Sequence, residues 1–172
     1  MKTVILVRHA KSSWKNLGLK DFDRPLNKRG KKDAPFMGEK IKERKIMPGL
    51  ILSSPAKRAR KTAIEIAKAI GYPKNKIEYN QDIYHSSAQY LLRLVRRQDD
   101  THETIMLFGH NPDFNDFADL LLGDNPVMNI PTTGVYCIKF AVDSWKKVRE
   151  GKGQSVFFDY PKRYQDPSVQ PE

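Results

Sequence analysis

The sequence predicts an α/β domain in which a mostly parallel central sheet lies between helices. Three short apolar runs, 4–7, 50–52 and 104–108, are typical of buried parallel strands. Each run is followed by a segment with helical periodicity, and this alternation implies a parallel sheet with helices on both faces, a three-layer α/β/α arrangement. The chain has 172 residues, of which 39% are hydrophobic and 30% charged, so we expect one domain over residues 1–172.

The first half of the chain is predicted to alternate two strands with two helices. A polar loop follows the first strand and leads into a helix over 28–45, for which Asn27 is the expected N-cap. The second strand leads into a helix that ends near residue 70. Ser54 is the expected N-cap of this second helix, and Pro55 its first residue.

The second half is predicted to contain further strands and helices and then a polar tail over 161–172 that we expect to fray. For the helix after the third strand, Asn111 is the expected N-cap and Pro112 the first residue. The predicted elements are an edge segment at 76–80, a helix at 87–98, a strand at 104–108, a helix at 113–122, and strands at 134–142 and 156–160.

The net charge of +11 is concentrated in the first half of the chain. Residues 1–75 contain 20 Lys and Arg against 6 Asp and Glu, a net +14, whereas residues 76–172 contain 11 against 14, a net −3. The positive electrostatic potential of such a basic half attracts anions, whether nucleic acid, phosphorylated small molecules or phosphorylated proteins. A solvated, lysine-rich surface would also account for most of these charges.

Several classes of protein are disfavoured by features that the sequence lacks. It has no apolar run of transmembrane length and no signal-peptide pattern, and its one cysteine, Cys137, excludes a disulfide framework. It has no recognised nucleic-acid motif. We therefore expect a cytoplasmic, monomeric protein with no membrane and no nucleic-acid partner.

The residues with chemical potential follow the ends of three predicted strands. Arg8 and His9 follow the first strand, Arg58 lies about one turn beyond the second, and His110 follows the third. Because ligands bind outside the carboxyl ends of parallel strands, we expect these four side chains to converge. A cation such as Arg58 is unfavourable in the first turn of a helix unless an anion lies beside it, and helix N-termini bind phosphate well.

The composition of this cluster favours a phosphoryl group as its ligand. Two histidines, two arginines and two helix N-termini form a cationic, donor-rich site. No HExxH, CxxC or GxxxxGK[ST] motif accompanies them, so we expect neither a metal nor any other cofactor.

Four segments in the expected order resemble the motifs of the histidine phosphatase superfamily. The first, Leu6-Val7-Arg8-His9-Ala10-Lys11-Ser12, resembles the Arg-His signature. Alanine directly after Arg8-His9, followed by Ser13-Trp14 further on, resembles the branch of SixA-type phosphohistidine phosphatases. The others are Arg24-Pro25-Leu26 with Arg29-Gly30, Ser53-Ser54-Pro55 with Arg58-Ala59 and Thr62-Ala63, and Gly109-His110-Asn111-Pro112. The resemblance implies a phosphoglycerate mutase-like fold.

The resemblance also implies a role for each residue of the cluster. His9 is the expected nucleophile, which forms a phosphohistidine that water then hydrolyses. Arg8, Arg58 and His110 are expected to hold the phosphoryl oxygens, and Ser12 is expected to bind substrate with them. His85 is a further candidate for substrate contact because it follows a predicted turn near the site.

A general acid is the part of the family pattern that the sequence does not clearly supply. Acid phosphatases of the superfamily carry an acidic residue directly after the second histidine, where this chain has Asn111. Asp82 is the one carboxylate of segment 82–89, from which the mutase-like branch draws its acid, although a loop-capping role also fits it. A site without an acid favours an imidazole leaving group, which carries its own proton, over an alkoxide.

These expectations leave three functional hypotheses. The favoured one is a phosphatase that removes phosphoryl groups from phosphohistidine on a protein, by analogy a histidine phosphotransfer domain or a phosphocarrier. A phosphoester phosphatase or mutase of the same superfamily is the first alternative. A non-catalytic polyanion-binding module is the second.

Overall fold

A single sheet forms the centre of the computed structural model, which describes residues 1–124 and 129–165. Within these residues six strands have the order β3-β2-β4-β1-β5-β6. They are β1 (Lys2–Arg8), β2 (Leu50–Ser53), β3 (Glu78–Tyr79), β4 (Thr104–Gly109), β5 (Val135–Phe140) and β6 (Gln154–Asp159).

The strand directions confirm the predicted mostly parallel sheet. Strands β1 to β4 run parallel to one another, and β1 lies at the centre, paired with β4 on one side. On its other side β1 pairs antiparallel with β5, which in turn pairs antiparallel with β6. The carboxyl ends of β1, β2 and β4 therefore lie at the same edge of the sheet as the amino end of β5.

Helices cover both faces of the sheet, so the predicted three-layer architecture is also confirmed. They are α1 (Lys28–Glu43), α2 (Lys57–Ile70), α3 (Ala88–Arg96) and α4 (Asp113–Leu122). Helices α1 and α2 pack on each other on one face, and α3 and α4 pack on each other on the other. Among the described residues no helix is long and apolar enough to cross a bilayer.

Strand β1 separates two apolar cores because successive side chains of a strand point to opposite faces. Val4 and Leu6 belong to the core beneath α3 and α4, whereas Ile5 and Val7 belong to the core beneath α1 and α2. All four are essentially inaccessible to solvent. Burial on both faces fixes the register of β1, and with it the position of the residues that follow the strand.

Helix α2 begins later than the sequence predicts, whereas α4 has the predicted bounds and its N-cap lies one residue later than predicted. Helix α2 begins at Lys57 instead of Pro55, and Ala56 occupies its N-cap position without a side-chain hydrogen bond. Helix α4 begins at Asp113, and Pro112 is its N-cap. The Ser54 hydroxyl accepts from the N–H of Ala56 and bonds to the distant His110, and it does not cap α2.

The predicted fraying is wrong for the first part of the tail. Pro161–Tyr164 form a 3₁₀ helix, and the Tyr164 hydroxyl donates to Asp159 Oδ2 over 2.6 Å. Asp159 is 1% exposed and also pairs with Arg44 and Arg163. The remainder of the predicted tail, residues 166–172, lies outside the described residues.

The loop between β1 and α1 is held against the start of α1 at Gly30. The carbonyl oxygen of Lys11 accepts from the backbone N–H of Asn27, whose side chain in turn accepts from the N–H of Gly30 as the predicted N-cap. A Cβ added at Gly30 would lie 2.1 Å from the Lys11 carbonyl oxygen. Only glycine therefore lets the loop that follows β1 approach the helix this closely.

The substitution Gly30→Ala is expected to destabilise the protein by about 1–3 kcal/mol, because backbone atoms, not a flexible side chain, oppose the new methyl group. Urea unfolding of the two proteins measures this difference. Gly18→Ala is the matched control, since its Cβ would meet only the Asn16 side chain, at 3.3 Å. If both variants lost the same free energy of unfolding, the close approach at Gly30 would be contradicted.

Candidate active site

The structure brings Arg8, His9, Arg58 and His110 together at the carboxyl edge of the sheet. The rings of His9 and His110 have centroids 5.3 Å apart. His9, Arg58 and His110 are buried, and Arg8 is partly buried. The convergence follows from the topology, because β1 and β4 are neighbours in the sheet and β2 pairs with β4.

A backbone contact orients the His9 ring. Its Nδ1 lies 2.7 Å from the carbonyl oxygen of Ala10. A carbonyl only accepts, so Nδ1 carries the proton and the lone pair lies on Nε2. The Ala10 N–H donates to Thr62 Oγ1, and the Thr62 hydroxyl donates to the carbonyl oxygen of Arg58. His9 and the first turn of α2 are thereby linked.

Both site histidines are neutral at physiological pH, because their pKa values lie well below it. Burial, followed by the nearby charges of Arg58 and Arg8, lowers the pKa of His9 to about 3, against the raising effect of its bond to Ala10. Burial, followed by His9 and Arg58, lowers the pKa of His110 to about 3. A protonated imidazole has no lone pair to offer, so the low pKa keeps His9 nucleophilic.

Ser54 fixes the tautomer of His110. The Ser54 hydroxyl lies 2.8 Å from His110 Nε2 and already accepts from the backbone N–H of Ala56. Among the described residues its hydrogen has no acceptor other than His110 Nε2, so Nδ1 carries the ring proton. This buried Nδ1 has no partner within the described residues, and its N–H is available to a phosphoryl oxygen.

Arg8 is held by the loop that precedes β5. Its Nη1 donates to the carbonyl oxygen of Ile130 over 3.0 Å, and its buried Nε has no partner within the described residues. The backbone N–H of Thr133, a residue with a φ of 61°, bonds to the carbonyl oxygens of Arg8 and His9. The end of the Arg8 side chain is thus fixed by the Ile130 carbonyl, and the Nε–H is left without a partner among the described residues.

Arg58 is held by a carboxylate that the sequence analysis did not identify, that of Asp21. Arg58 donates from Nη2 to Asp21 Oδ2 over 2.9 Å and from Nη1 to the Asp21 carbonyl oxygen over 2.7 Å. This internal anion explains why a buried arginine is tolerated in the first turn of α2. The two bonds also orient the guanidinium, which a lysine could not match.

Asp21 is ionised and therefore cannot serve as the general acid. Although burial raises its pKa, hydrogen bonds from the Tyr84 hydroxyl, at 2.6 Å, and from Arg58 and Arg24 hold the pKa of Asp21 far below its usual range. Sequence reasoning missed Asp21 because it lies in a short 3₁₀ helix, Asp21–Asp23, within a segment predicted only as a polar loop, 37 residues from Arg58. The sequence feature that could have pointed to Asp21 is its position as a carboxylate three residues before Arg24 in a basic stretch.

Ser12 contacts Arg24 in the structure. Arg24 Nη1 donates to the buried Ser12 hydroxyl, and its Nε and Nη2 donate to Asp21 Oδ1. The guanidinium also stacks 3.6 Å from the ring centroid of Trp14, which is 65% exposed. Arg24 lowers the pKa of His9, so it is a third arginine whose charge acts at the site.

Asp82 and His85 lie at the rim of the site. They line one cavity together with Tyr84, whose ring lies 5.3 Å from that of His110. The Asp82 carboxylate accepts from the Tyr90 hydroxyl over 3.1 Å and is exposed. His85 has a φ of 54° and packs against Tyr84. A role for Asp82 as acid and for His85 in substrate contact stays a prediction.

The neutral state of the two histidines is expected to be visible by NMR. Between about pH 8 and about pH 5 the ring signals of His9 and His110 should not titrate, because both pKa values lie near 3. The variants His9→Gln and His110→Gln assign the signals. A midpoint near the ordinary value of about 6.5 for either ring would contradict the description of the site.

Comparison with known proteins identifies the family. The sequence profile of the histidine phosphatase superfamily (branch 1) matches residues 4–87. An uncharacterised chloroplastic protein of Arabidopsis thaliana is 30% identical over 154 residues, which span 85% of this chain and 70% of that protein. The chain belongs to the histidine phosphatase superfamily. It is an enzyme of that superfamily, a phosphatase or mutase.

Solved structures of histidine phosphatases extend the match to nearly the whole chain. SixA from Agrobacterium tumefaciens is 28% identical with a TM-score of 0.79, covering 93% of this chain and 98% of that one. The protein histidine phosphatase SixA in complex with tungstate shares the fold at 18% identity, with a TM-score of 0.78 over 94% of this chain and 99% of that one. The predicted resemblance to the SixA-type branch is confirmed.

Proposed function

We propose that this histidine phosphatase hydrolyses phosphohistidine on a protein substrate through a covalent intermediate on His9. One observation carries the proposal: the carboxylate that contacts Arg58 at the site, Asp21, is ionised and is bound by two arginines and a tyrosine. A site without a protonated carboxyl group is suited to a leaving group that needs no proton from an acid.

The first step transfers the phosphoryl group to the enzyme. The lone pair on His9 Nε2 forms a bond to phosphorus while the phosphorus–nitrogen bond of the substrate breaks. Arg8 and Arg58 offset the charge that the phosphoryl oxygens carry in the transition state, and the His110 Nδ1–H donates to one of them. Because the bond to Ala10 holds Nδ1, His9 needs no change of tautomer before attack.

The leaving group determines which substrates this site can hydrolyse. A substrate imidazole departs as a neutral ring when its other nitrogen carries a proton, a state that is accessible near its pKa of about 6.5. An alkoxide leaving from a phosphoester must instead receive a proton in the transition state. Asp21 cannot supply it, since its pKa lies far below its usual range.

The second step returns the enzyme to its starting state. Water forms a bond to phosphorus, the bond to His9 Nε2 breaks, and inorganic phosphate is released. The phosphoryl oxygens again lie among the cations and the His110 N–H. The same residues therefore stabilise both transition states.

A protein is the proposed source of the phosphohistidine, and a histidine phosphotransfer domain or a phosphocarrier is the proposed partner. The rim is open and carries exposed side chains such as Trp14, which leaves room for a large substrate. Support also comes from the neighbours: the name of the A. tumefaciens protein proposes phosphohistidine phosphatase activity. We propose that the enzyme acts as a monomer in the cytoplasm, with neither a membrane nor a nucleic-acid partner.

The test compares three phosphorylated substrates under the same conditions: a phosphohistidine protein, an aryl phosphate and a sugar phosphate. Phosphohistidine is expected to have a kcat/KM more than about 10²-fold above that of the sugar phosphate, which is the scale of general acid–base catalysis. The aryl phosphate should fall between them, since a phenolate leaves more readily than an alkoxide.

Two results would overturn the proposal. Sugar-phosphate hydrolysis as fast as that of phosphohistidine would show that an acid is present, and Asp82→Asn would then be the next variant. Phosphate release from none of the three, with retained phosphate binding, would support the polyanion-binding alternative.

A further inference from the structure

A second cationic cavity adjoins the phosphoryl site and shares Arg8 with it. This cavity, which we call the side pocket, has a volume of about 220 Å³. Its lining brings together the loop after β1, the start of α1, the loop before β5 and the turn after β6. The lining residues that matter here are Arg8, Lys11, Arg29, Thr132, Tyr160 and Lys162.

The charges that line the side pocket are of one sign. Four of its lining side chains are cationic and none is acidic. Arg29 is partly neutralised by Asp33, which lies 3.3 Å away on the same helix. Lys11 and Lys162 have no ion pair within residues 1–124 and 129–165, whereas other lysines such as Lys40, Lys61 and Lys147 have one.

We propose that the side pocket binds a second oxyanion carried by the same substrate, next to the phosphoryl group. The chemistry suits a carboxylate or a second phosphoryl group, because lysine and tyrosine donors can bind either. In a protein substrate the group is the carboxylate of an acidic side chain close to the phosphohistidine. That last statement rests on the proposed function, whereas binding of an oxyanion does not.

The contribution of the second oxyanion is to binding, not to the chemical step. Lys11 and Lys162 are exposed, so each attracts an anion by a modest amount, about two- to fivefold in affinity at low salt. The attraction should fall as the salt concentration rises. A substrate lacking the second oxyanion should react with an unchanged kcat.

Competitive inhibition by phosphonates tests the proposal without a phosphohistidine substrate. Alkylphosphonates are compared with partners of equal chain length that end in a carboxylate or in a second phosphonate. The wild type should bind the best partner about fivefold more tightly than the plain alkylphosphonate, and the two kinds of terminal group show which oxyanion is preferred.

The variant Lys162→Gln should remove most of this advantage, and Lys11→Gln with Lys162→Gln all of it, with hydrolysis of a simple aryl phosphate unchanged. Lys152→Gln is the matched control: Lys152 is exposed and precedes β6, at the opposite end of the strand from Lys162. Equal affinities for plain and terminally charged phosphonates at every chain length would overturn the proposal.

The outcomes separate this proposal from the proposed function. Turnover of a phosphohistidine protein without any phosphonate preference would leave the function standing and remove the side pocket as a binding site. A Lys162-dependent preference without phosphohistidine turnover would establish the side pocket in an enzyme with another substrate.

Discussion

Replacement of His9 by glutamine is expected to lower kcat/KM for every phosphorylated substrate by more than about 10³-fold, the scale on which loss of a nucleophile acts. Glutamine keeps a polar group of similar length that can still donate to the Ala10 carbonyl oxygen, so the loop that follows β1 should be preserved. The lost element is the lone pair on Nε2. Steady-state kinetics, with thermal unfolding as a check of the fold, measure the effect.

His102→Gln is the matched control for His9→Gln. His102 precedes β4, at the edge of the sheet opposite to the site, so its ring cannot reach the phosphoryl group. Its loss should leave kcat/KM within about twofold of the wild type. If the His9 variant kept a comparable activity, His9 would not be the nucleophile.

The second large effect is expected for Arg58→Ala, which should lower kcat/KM by about 10²–10³-fold. The substitution removes a cation from the phosphoryl site and takes away one of the three side chains that bind the Asp21 carboxylate. The carboxylate then lies near an anionic substrate with one less cation to offset it. Arg58→Lys should recover only part of the loss, because an ammonium group lacks the planar fork that holds both bonds to Asp21 in one orientation.

Arg60→Ala separates this effect from a general loss of positive charge. Arg60 lies two residues further along α2 and is exposed, whereas Arg58 is 5% exposed. We expect Arg60→Ala to change kcat/KM by less than about threefold at moderate salt. Similar losses for the two variants would show that the field of the basic half, and not the placement of Arg58, supports catalysis.

The parts of the site that could be predicted are those fixed by strand position. Burial of β1 on both faces determines where Arg8 and His9 emerge, and the parallel pairing of β1, β4 and β2 places His110 and Arg58 at the same edge. Short apolar runs reveal such strands directly. The layers, the mostly parallel sheet and the cluster of cations therefore follow from local patterns and general topology.

The parts that could not be predicted depend on contacts between distant loops. Ser54 has the sequence signature of an N-cap, yet its hydroxyl binds His110, which is 56 residues away. Asp21 begins a single 3₁₀ turn, too short to show a periodic pattern, and its partners Arg58 and Tyr84 come from two other segments. Local propensity cannot distinguish a side chain that caps its own helix from one that a remote partner engages.

The stereochemical course of hydrolysis tests the central claim, a covalent intermediate on His9, most directly. A substrate with a chiral, isotopically labelled thiophosphoryl group is hydrolysed in labelled water, and the configuration of the released thiophosphate is determined. Two successive in-line displacements, first by His9 and then by water, predict retention of configuration at phosphorus. Inversion would mean that water attacks the substrate directly, and the covalent role of His9 would have to be abandoned.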